Sequence, residues 1–376
     1  MLVAADDRTG ALETAGAIAD RIGRTVRMVV HGTAELSGLG DDVIVVDLGS
    51  RHLTAPDAAL RSAQCPTTRP AGHKIDSMLR GNWAAEVLVR SARVLVVPAL
   101  PAARRVCRGG VVFDGDVPVA LGAAGRDARD AIRSSRPADH LRGAGAIEVD
   151  ELPDAGALEQ WLAGSGPCAV MDASSDDDLE AIAHLWSACA EVLLAGTSAM
   201  LGAGAAAVLG SSSVPQPPLP LPAPVLPAPL LLVCGSLHEG ARTEIAALAA
   251  DGVAVGTLGD RAELPRAVRD ALAAGRPAVL TTEVPRQLPV SSRDAEALAS
   301  LLAAAANTVA VGTLIVIGGD SAAMILGDAE RWVGGLLAPG TPWCPPTVDT
   351  PMIVTRAGGL GSAMTLRDLV LGRMES

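Results

Sequence analysis

Eight prolines fall between Pro215 and Pro229, and no other feature constrains the fold of this chain as much. Proline lacks an amide hydrogen and fixes φ, so the run excludes helix and central strand and favours a stiff polyproline spacer. On both sides of it, short apolar strands alternate with helical stretches, the pattern of a mostly parallel, helix-covered sheet. The expected fold class is therefore α/β with two domains, each a mostly parallel sheet flanked by helices. The expected boundaries are 1–210 for the first domain, 211–229 for the linker and 230–376 for the second. A Pro-rich partner-binding motif is the alternative, but between two α/β patterns such a run is more often a linker.

Composition narrows the function. One Phe, five Trp and no Tyr leave few platforms on which bases could stack. A net charge of −12 argues against nucleic acid and against an anionic membrane surface, while leaving room for a local cluster of donors that binds a small anion. Six cysteines lie scattered with no CxxC pair, so no zinc site is expected and no metal ligands are assigned. No apolar run is both long enough and proline-free enough to span a bilayer. Leu2-Val3-Ala4-Ala5 reads as a strand, with no signal-peptide pattern around it. The expected class is a cytoplasmic enzyme acting on a small molecule, with a homodimer left open as its assembly.

The most informative stretch is Gly72-His73-Lys74-Ile75-Asp76-Ser77-Met78-Leu79-Arg80-Gly81-Asn82. Lys74 is the only lysine in the sequence; apart from the histidines, every other basic side chain is arginine. Arginine is a wide planar fork and lysine a compact point charge, so a site that touches one anionic oxygen in a tight space tolerates only lysine. Asp76, Ser77, Arg80 and Asn82 surround it on what reads as a turn from strand to helix. Such a set suits a small polyhydroxylated anion. Upstream, Asp6 and Asp7 end the first strand, where open α/β sheets bind ligands, and Asp7 or Thr9 can cap the helix that runs to about Gly23. Arg51 follows the strand around Val43–Asp47; it reads equally well as a bidentate carboxylate clamp or as a surface arginine. Residues 109–150 carry no clear periodicity.

In the second half, Leu230–Cys234 runs into Gly235-Ser236, Thr313–Ile317 into Gly318-Gly319-Asp320-Ser321-Ala322, and Pro351–Thr355 into Arg356-Ala357-Gly358-Gly359-Leu360-Gly361. Strand, glycine turn and helix N-terminus together present converging N–H groups to a phosphate. The sequence has no GxxxxGK[ST] loop, no GxSxG elbow and no HExxH. Gly202-Ala203-Gly204 reads as helix interior rather than as a dinucleotide fingerprint.

In order and over nearly the whole chain, these pieces resemble the four-carbon acid sugar kinases. The matching pieces are Ala5 to Ala11, Gly49-Ser50-Arg51, Lys74 to Asn82, Pro98-Ala99-Leu100-Pro101, Gly235-Ser236, Gly318 to Ala322, Pro339-Gly340-Thr341-Pro342 and Arg356 to Gly361. The resemblance implies ATP-dependent phosphorylation of a hydroxyl on a small sugar acid. It places the acid on the N-terminal domain, ATP on the C-terminal domain and the active site in the cleft between them. On this reading Asp7, Asp76 and Lys74 are catalytic, with Asp7 the leading base and Asp76 the second. Asp6, Arg51, Ser77, Arg80 and Asn82 bind substrate. Ser236, Gly318, Gly319, Asp320, Ser321, Gly358, Gly359 and Gly361 bind ATP, whose phosphates Mg²⁺ would bridge. The chain departs from the family pattern at Met78 (usually Thr, beside the expected substrate site), at Arg104-Arg105 (usually Gly-Arg), and at Arg356 and Leu360 (usually Lys and Phe). The alternatives are a kinase of a related hydroxy-acid intermediate, a carboxylate ligase, and a binding protein that has lost catalysis.

Overall fold

The structure, a computed structural model, describes all residues except 34–42, 67–69, 128–129, 142–144, 150–151, 153, 165–167, 190, 211–223, 260, 284–291, 359–364 and 372–376. It divides into two compact units, Met1–Leu221 and Pro222–Ser376. Most of the expected spacer lies outside the described residues; its remainder, 224–229, carries no helix or strand. Among the described residues no helix is long and apolar enough to cross a membrane.

In the first unit the main sheet contains β1 (Leu2–Ala5), β2 (Val26–Val30), β3 (Ile44–Asp47), β4 (Ala71–Lys74), β5 (Val94–Val97), β9 (Ile147–Val149), β10 (Cys168–Met171) and β11 (Leu193–Gly196). Their order is β2-β3-β1-β4-β11-β5-β10-β9, and they pair in parallel. Strands of four or five mostly buried aliphatic residues are what a sheet covered on both faces requires. The covering helices include α1 (Arg8–Ile22), α2 (Ala55–Ala63), α3 (Trp83–Arg90), α6 (Asp176–Ser187) and α7 (Ser198–Gly210); the short α4 (Pro137–His140) and α5 (Ala155–Gly164) complete the unit. Helix α7 confirms the helix-interior reading of Gly202 and Gly204. A Cβ on Gly202 would lie 2.9 Å from the Ala17 carbonyl oxygen, so glycine lets α7 approach α1.

Between β5 and β9 the chain builds a small antiparallel sheet of β6 (Arg105–Arg108), β7 (Val111–Asp114) and β8 (Val117–Pro118). This is the stretch without clear periodicity. Its strands are two to four residues long, and turns at Gly109, Gly110 and Gly115, all at positive φ, separate them. Arg104 stands at φ 56°, a left-handed conformation that favours glycine. It occupies the position where the family pattern expects glycine.

The second unit's sheet runs β13 (Ala254–Leu258), β14 (Ala278–Thr282), β12 (Leu230–Cys234), β15 (Thr313–Ile317), β19 (Met352–Arg356), β18 (Thr341–Cys344) and β17 (Gly335–Ala338). The first five are parallel, and β18 and β17 turn antiparallel at the edge. Strand β16 (Arg331–Val333) precedes β17. Helices α8 (Glu239–Ala250), α9 (Arg266–Ala273), α10 (Ser292–Ala306), α11 (Gly319–Leu326) and α12 (Leu366–Leu371) complete it. Two apolar clusters, one built on Leu231, Val233 and Val316 and one on Leu232, Ile315 and Val354, pack against the sheet.

Candidate functional site

Sheet register alone gathers the charged residues of the first unit. Ala5 pairs with Asp47 on one side and with Lys74 on the other. The loops that continue β1, β3 and β4 therefore leave the sheet side by side. Here the strand order reverses, with β3 and β2 on one flank of β1 and β4 on the other, which is where open α/β sheets form their ligand crevice.

The charges interlock. Arg51 donates from Nε to Asp6 Oδ2 at 2.7 Å and from Nη2 to Asp6 Oδ1 at 2.8 Å, while its Nη1 lies 3.0 Å from Asp7 Oδ2. Asp7 Oδ1 accepts the Gly10 N–H at 2.7 Å and so caps α1. A methyl group on Gly10 would sit 2.5 Å from Asp7 Oδ1 and 3.5 Å from Lys74 Nζ, so acid and lysine face one small space that only glycine leaves open. Asp76 takes Arg80 as a fork: Nε reaches Oδ2 at 2.9 Å and Nη2 reaches Oδ1 at 3.1 Å. The remaining arm of Arg80, Nη1, lies 3.3 Å from Asp127. Ser77 Oγ accepts from Arg105 at 2.7 Å.

Burial and pairing sort the three acids. Asp6 is 1% exposed; burial pushes its carboxyl up, Arg51 only partly offsets this, and it stands at about 6. Burial pushes Asp7 up too, but Arg51, Lys74 and the Gly10 N–H more than reverse it, leaving Asp7 below the usual carboxylate range. Asp76 goes well below that range, because Arg80, Arg51 and Lys74 outweigh its burial. Arg51 is held well above its ordinary value, since Asp6, Asp7 and Asp76 outweigh burial.

These directions predict a pH signature. A folded-state pKa of about 6 for Asp6, above the ordinary carboxylate value, gives stability that is full at low pH and is lost as pH rises through about 6. Asp7 and Asp76, with lowered values, act in the opposite sense. Relative to Asp6→Asn, the melting temperature of the parent chain should therefore fall by a few degrees between about pH 4 and pH 6.5. Thermal melts across that range check it, and a constant difference would refute the raised value.

Two of the positions that depart from the family pattern have defined packing partners. Met78 sits beside the charged site by its backbone, whose N–H donates to Asp76 Oδ2 at 3.2 Å, while its side chain is buried in the apolar cluster with Trp83 and Val87. Arg356 is 4% exposed and forked onto Glu244, with Nη2 to Oε1 at 2.7 Å and Nη1 to Oε2 at 3.2 Å, so a phosphate contact would have to compete with that pair. Asn82 spends its amide N–H groups on the carbonyls of Ser50, Arg51 and Leu53.

The glycine turns of the second unit converge. A Cβ on Gly235 would lie 2.0 Å from Ser321 Oγ, one on Gly358 would lie 1.9 Å from Ser236 Oγ, and Gly318 (φ 111°) faces the Ser236 N–H. Gly319, Asp320 and Ser321 open α11, whose first N–H groups have no side-chain cap at Gly318. Gly359 and Gly361 lie outside the described residues. Arg242, which local pattern did not single out, braces the Ser236 turn against β14 through Ser236 O at 2.8 Å and Thr281 Oγ at 2.7 Å.

Comparison with known proteins agrees with this architecture. The family described as "Sugar-binding N-terminal domain" matches residues 1–204. A D-threonate kinase of Cupriavidus necator is 32% identical over 263 residues, covering 63% of this chain and 60% of the relative. A D-threonate kinase of Bordetella bronchiseptica is 30% identical over 273 residues, covering 65% and 61%. The matches thus span about three fifths of the length of these curated relatives. A solved structure from Salmonella typhimurium LT2 superposes with a TM-score of 0.71 at 19% identity, covering 96% of each chain, and carries the same fold. The fold is that of a two-unit α/β protein whose first unit matches the sugar-binding N-terminal domain family. The chain belongs to the four-carbon acid sugar kinase family.

Proposed function

We propose that this chain is an ATP-dependent kinase that phosphorylates one hydroxyl of a small, four-carbon-like sugar acid. The observation that carries the reading is the meeting of Asp7 and Lys74 over Gly10, flanked by Arg51 and the Asp76–Arg80 pair, in the unit that matches a sugar-binding family. Phosphoryl transfer asks a protein chiefly for positioning and charge stabilisation, and this cluster supplies both.

Arg80 and the N–H groups of Arg51 not taken by Asp6 and Asp7 would receive the carboxylate and hydroxyls of the acid, with Ser77 beside them. Lys74 would neutralise a carboxylate or the transferring phosphoryl group. Asp7 is the leading base, being more exposed than Asp6 or Asp76 and carrying no bidentate fork. As the substrate oxygen bonds to the γ-phosphorus, its proton passes to Asp7, and the bond from that phosphorus to the β–γ bridging oxygen breaks to release ADP. Ser236, Gly318, Gly319, Asp320, Ser321 and Gly358 would hold the phosphates through N–H groups and the start of α11. Asp320, exposed in the first turn of α11, would be the carboxylate to hold Mg²⁺, which would supply charge neutralisation.

Incubation with ATP, Mg²⁺ and a panel of four- and five-carbon sugar acids tests the reading by product analysis. ADP and a phosphate monoester are expected. AMP, an acyl phosphate or no turnover would overturn it. The nucleotide assignment has its own check. Gly358→Ala places a methyl group on Ser236, so ATP affinity by calorimetry should weaken about tenfold or more while sugar-acid affinity holds. ATP binding within about twofold of the parent would remove that turn from the nucleotide site.

A further inference from the structure

Beneath the charged site lies a set of polar side chains to which the proposed chemistry assigns no role. Asn82, the residue at the N-cap of α3, and Glu86 and Arg90 within it stand at i, i+4 and i+8, on one side of the helix. That face looks onto the turn carrying Arg51 and onto β4, which ends in Lys74. Glu86 and His73 are both 0% exposed. Glu86 Oε1 accepts the Ser50 hydroxyl, and its Oε2 lies 2.9 Å from His73 Nε2. Arg90 Nη1 donates to the Gly72 carbonyl at 2.7 Å and lies 3.4 Å from His73 Nδ1.

The chemistry of the donors fixes the direction of the chain. Arginine only donates and a carboxylate only accepts. Burial holds His73 below its ordinary value, so the neutral ring carries its proton on Nε2 toward Glu86 and offers Nδ1 to Arg90. Burying a carboxylate is costly unless every lone pair is used, and an apolar side chain would fill the space at less cost. What the carboxylate provides is a rigid link. Ser50 immediately precedes Arg51, and Gly72-His73 immediately precedes Lys74. Ser50 N also donates to the Asp6 carbonyl at 2.8 Å, which ties the same link to the acid pair.

We propose that Glu86 is a positioning residue for the sugar-acid site: from α3 it sets Arg51, through Ser50, and Lys74, through His73, at their working separation. The turnover arm of the test rests on the kinase reading; the spectroscopic arm does not. Glu86→Asp keeps the charge and shortens the reach by one methylene, so it cannot span both partners. It should raise the KM for the sugar acid about tenfold or more while the KM for ATP stays within about twofold, a split that loss of folded enzyme cannot produce. Because Lys74 is the only lysine, protein labelled with ¹³C,¹⁵N-lysine reports it as a single side-chain resonance. That resonance should move in Glu86→Asp in the absence of substrate and nucleotide. A KM for the acid within about threefold of the parent, or an unmoved resonance, overturns the proposal. If the parent phosphorylates no sugar acid, the kinase reading fails and the resonance alone decides the positioning role. Should Glu86→Asp not fold, Ser50→Ala, which removes the hydrogen bond on the Arg51 arm, is read against the same KM limits, and His73→Gln, which alters the Lys74 arm, against the same resonance limit.

Discussion

Lys74→Arg is expected to lower kcat/KM about a hundredfold or more, although it conserves charge. Misplacing a catalytic group by about 1 Å typically costs that much, and an arginine cannot set its charge where Lys74 Nζ stands. Lys74 is 5% exposed and borders the space above Gly10, where even a methyl group would touch Asp7. A guanidinium spreads its charge over a rigid planar fork, and in that volume it would displace Asp7 or withdraw from it. The field of Lys74 also helps to hold both Asp7 and Asp76 ionised, so its displacement would disturb the proposed base as well as the proposed substrate contact. The melting temperature should change little, because the cation remains. Steady-state kinetics beside a thermal melt decide the matter. A variant that keeps more than about a tenth of the parent's kcat/KM would show that the single lysine is incidental.

Local sequence pattern revealed much of this molecule, and its gaps have physical causes. Strands such as Leu230–Cys234 and Thr313–Ile317 were legible to the residue because both faces of each are buried, and an unbroken aliphatic run has few other uses. The helix cap at Asp7 was legible because a cap is a local interaction. Strand β4 was not legible as a strand: Gly72, His73 and Lys74 look like loop residues, and they are strand because β1 and β11 pair with them on both sides, with the buried His73 satisfied by Glu86 and Arg90 of α3. Arg51 could be read two ways from its own segment, since its partner Asp6 lies 45 residues away. The side-chain partners of Met78 and Arg356 lay out of reach of local pattern for the same reason. Position in a motif says which turn a side chain leaves from, whereas the direction in which it packs is set by neighbours such as Trp83 and Glu244. Lys74 stood out by composition, a signal that needs no neighbours at all.

Asp7→Asn should lower turnover about a hundredfold or more, the usual cost of losing a general base, and it is the substitution best suited to separate chemistry from folding. Asp7 has two tasks. Its Oδ1 caps α1 through the Gly10 N–H, and its Oδ2, beside Arg51 Nη1, is the oxygen that the proposed reaction offers to the substrate proton. Asparagine caps helices about as well as aspartate, so the first task survives while the ionisable oxygen is lost. Arg51 keeps its fork on Asp6, and the loop that carries it stays in place. Asp7→Ala removes the cap as well and should cost about 1 kcal/mol of stability in addition. Near-equal losses of turnover in the two variants, with a lowered melting temperature only in Asp7→Ala, would assign the catalytic effect to the carboxylate itself. If Asp7→Asn instead retains more than about a tenth of parental turnover, the base is not Asp7. Asp76 then becomes the candidate, and it would have to release part of its Arg80 fork to accept a proton.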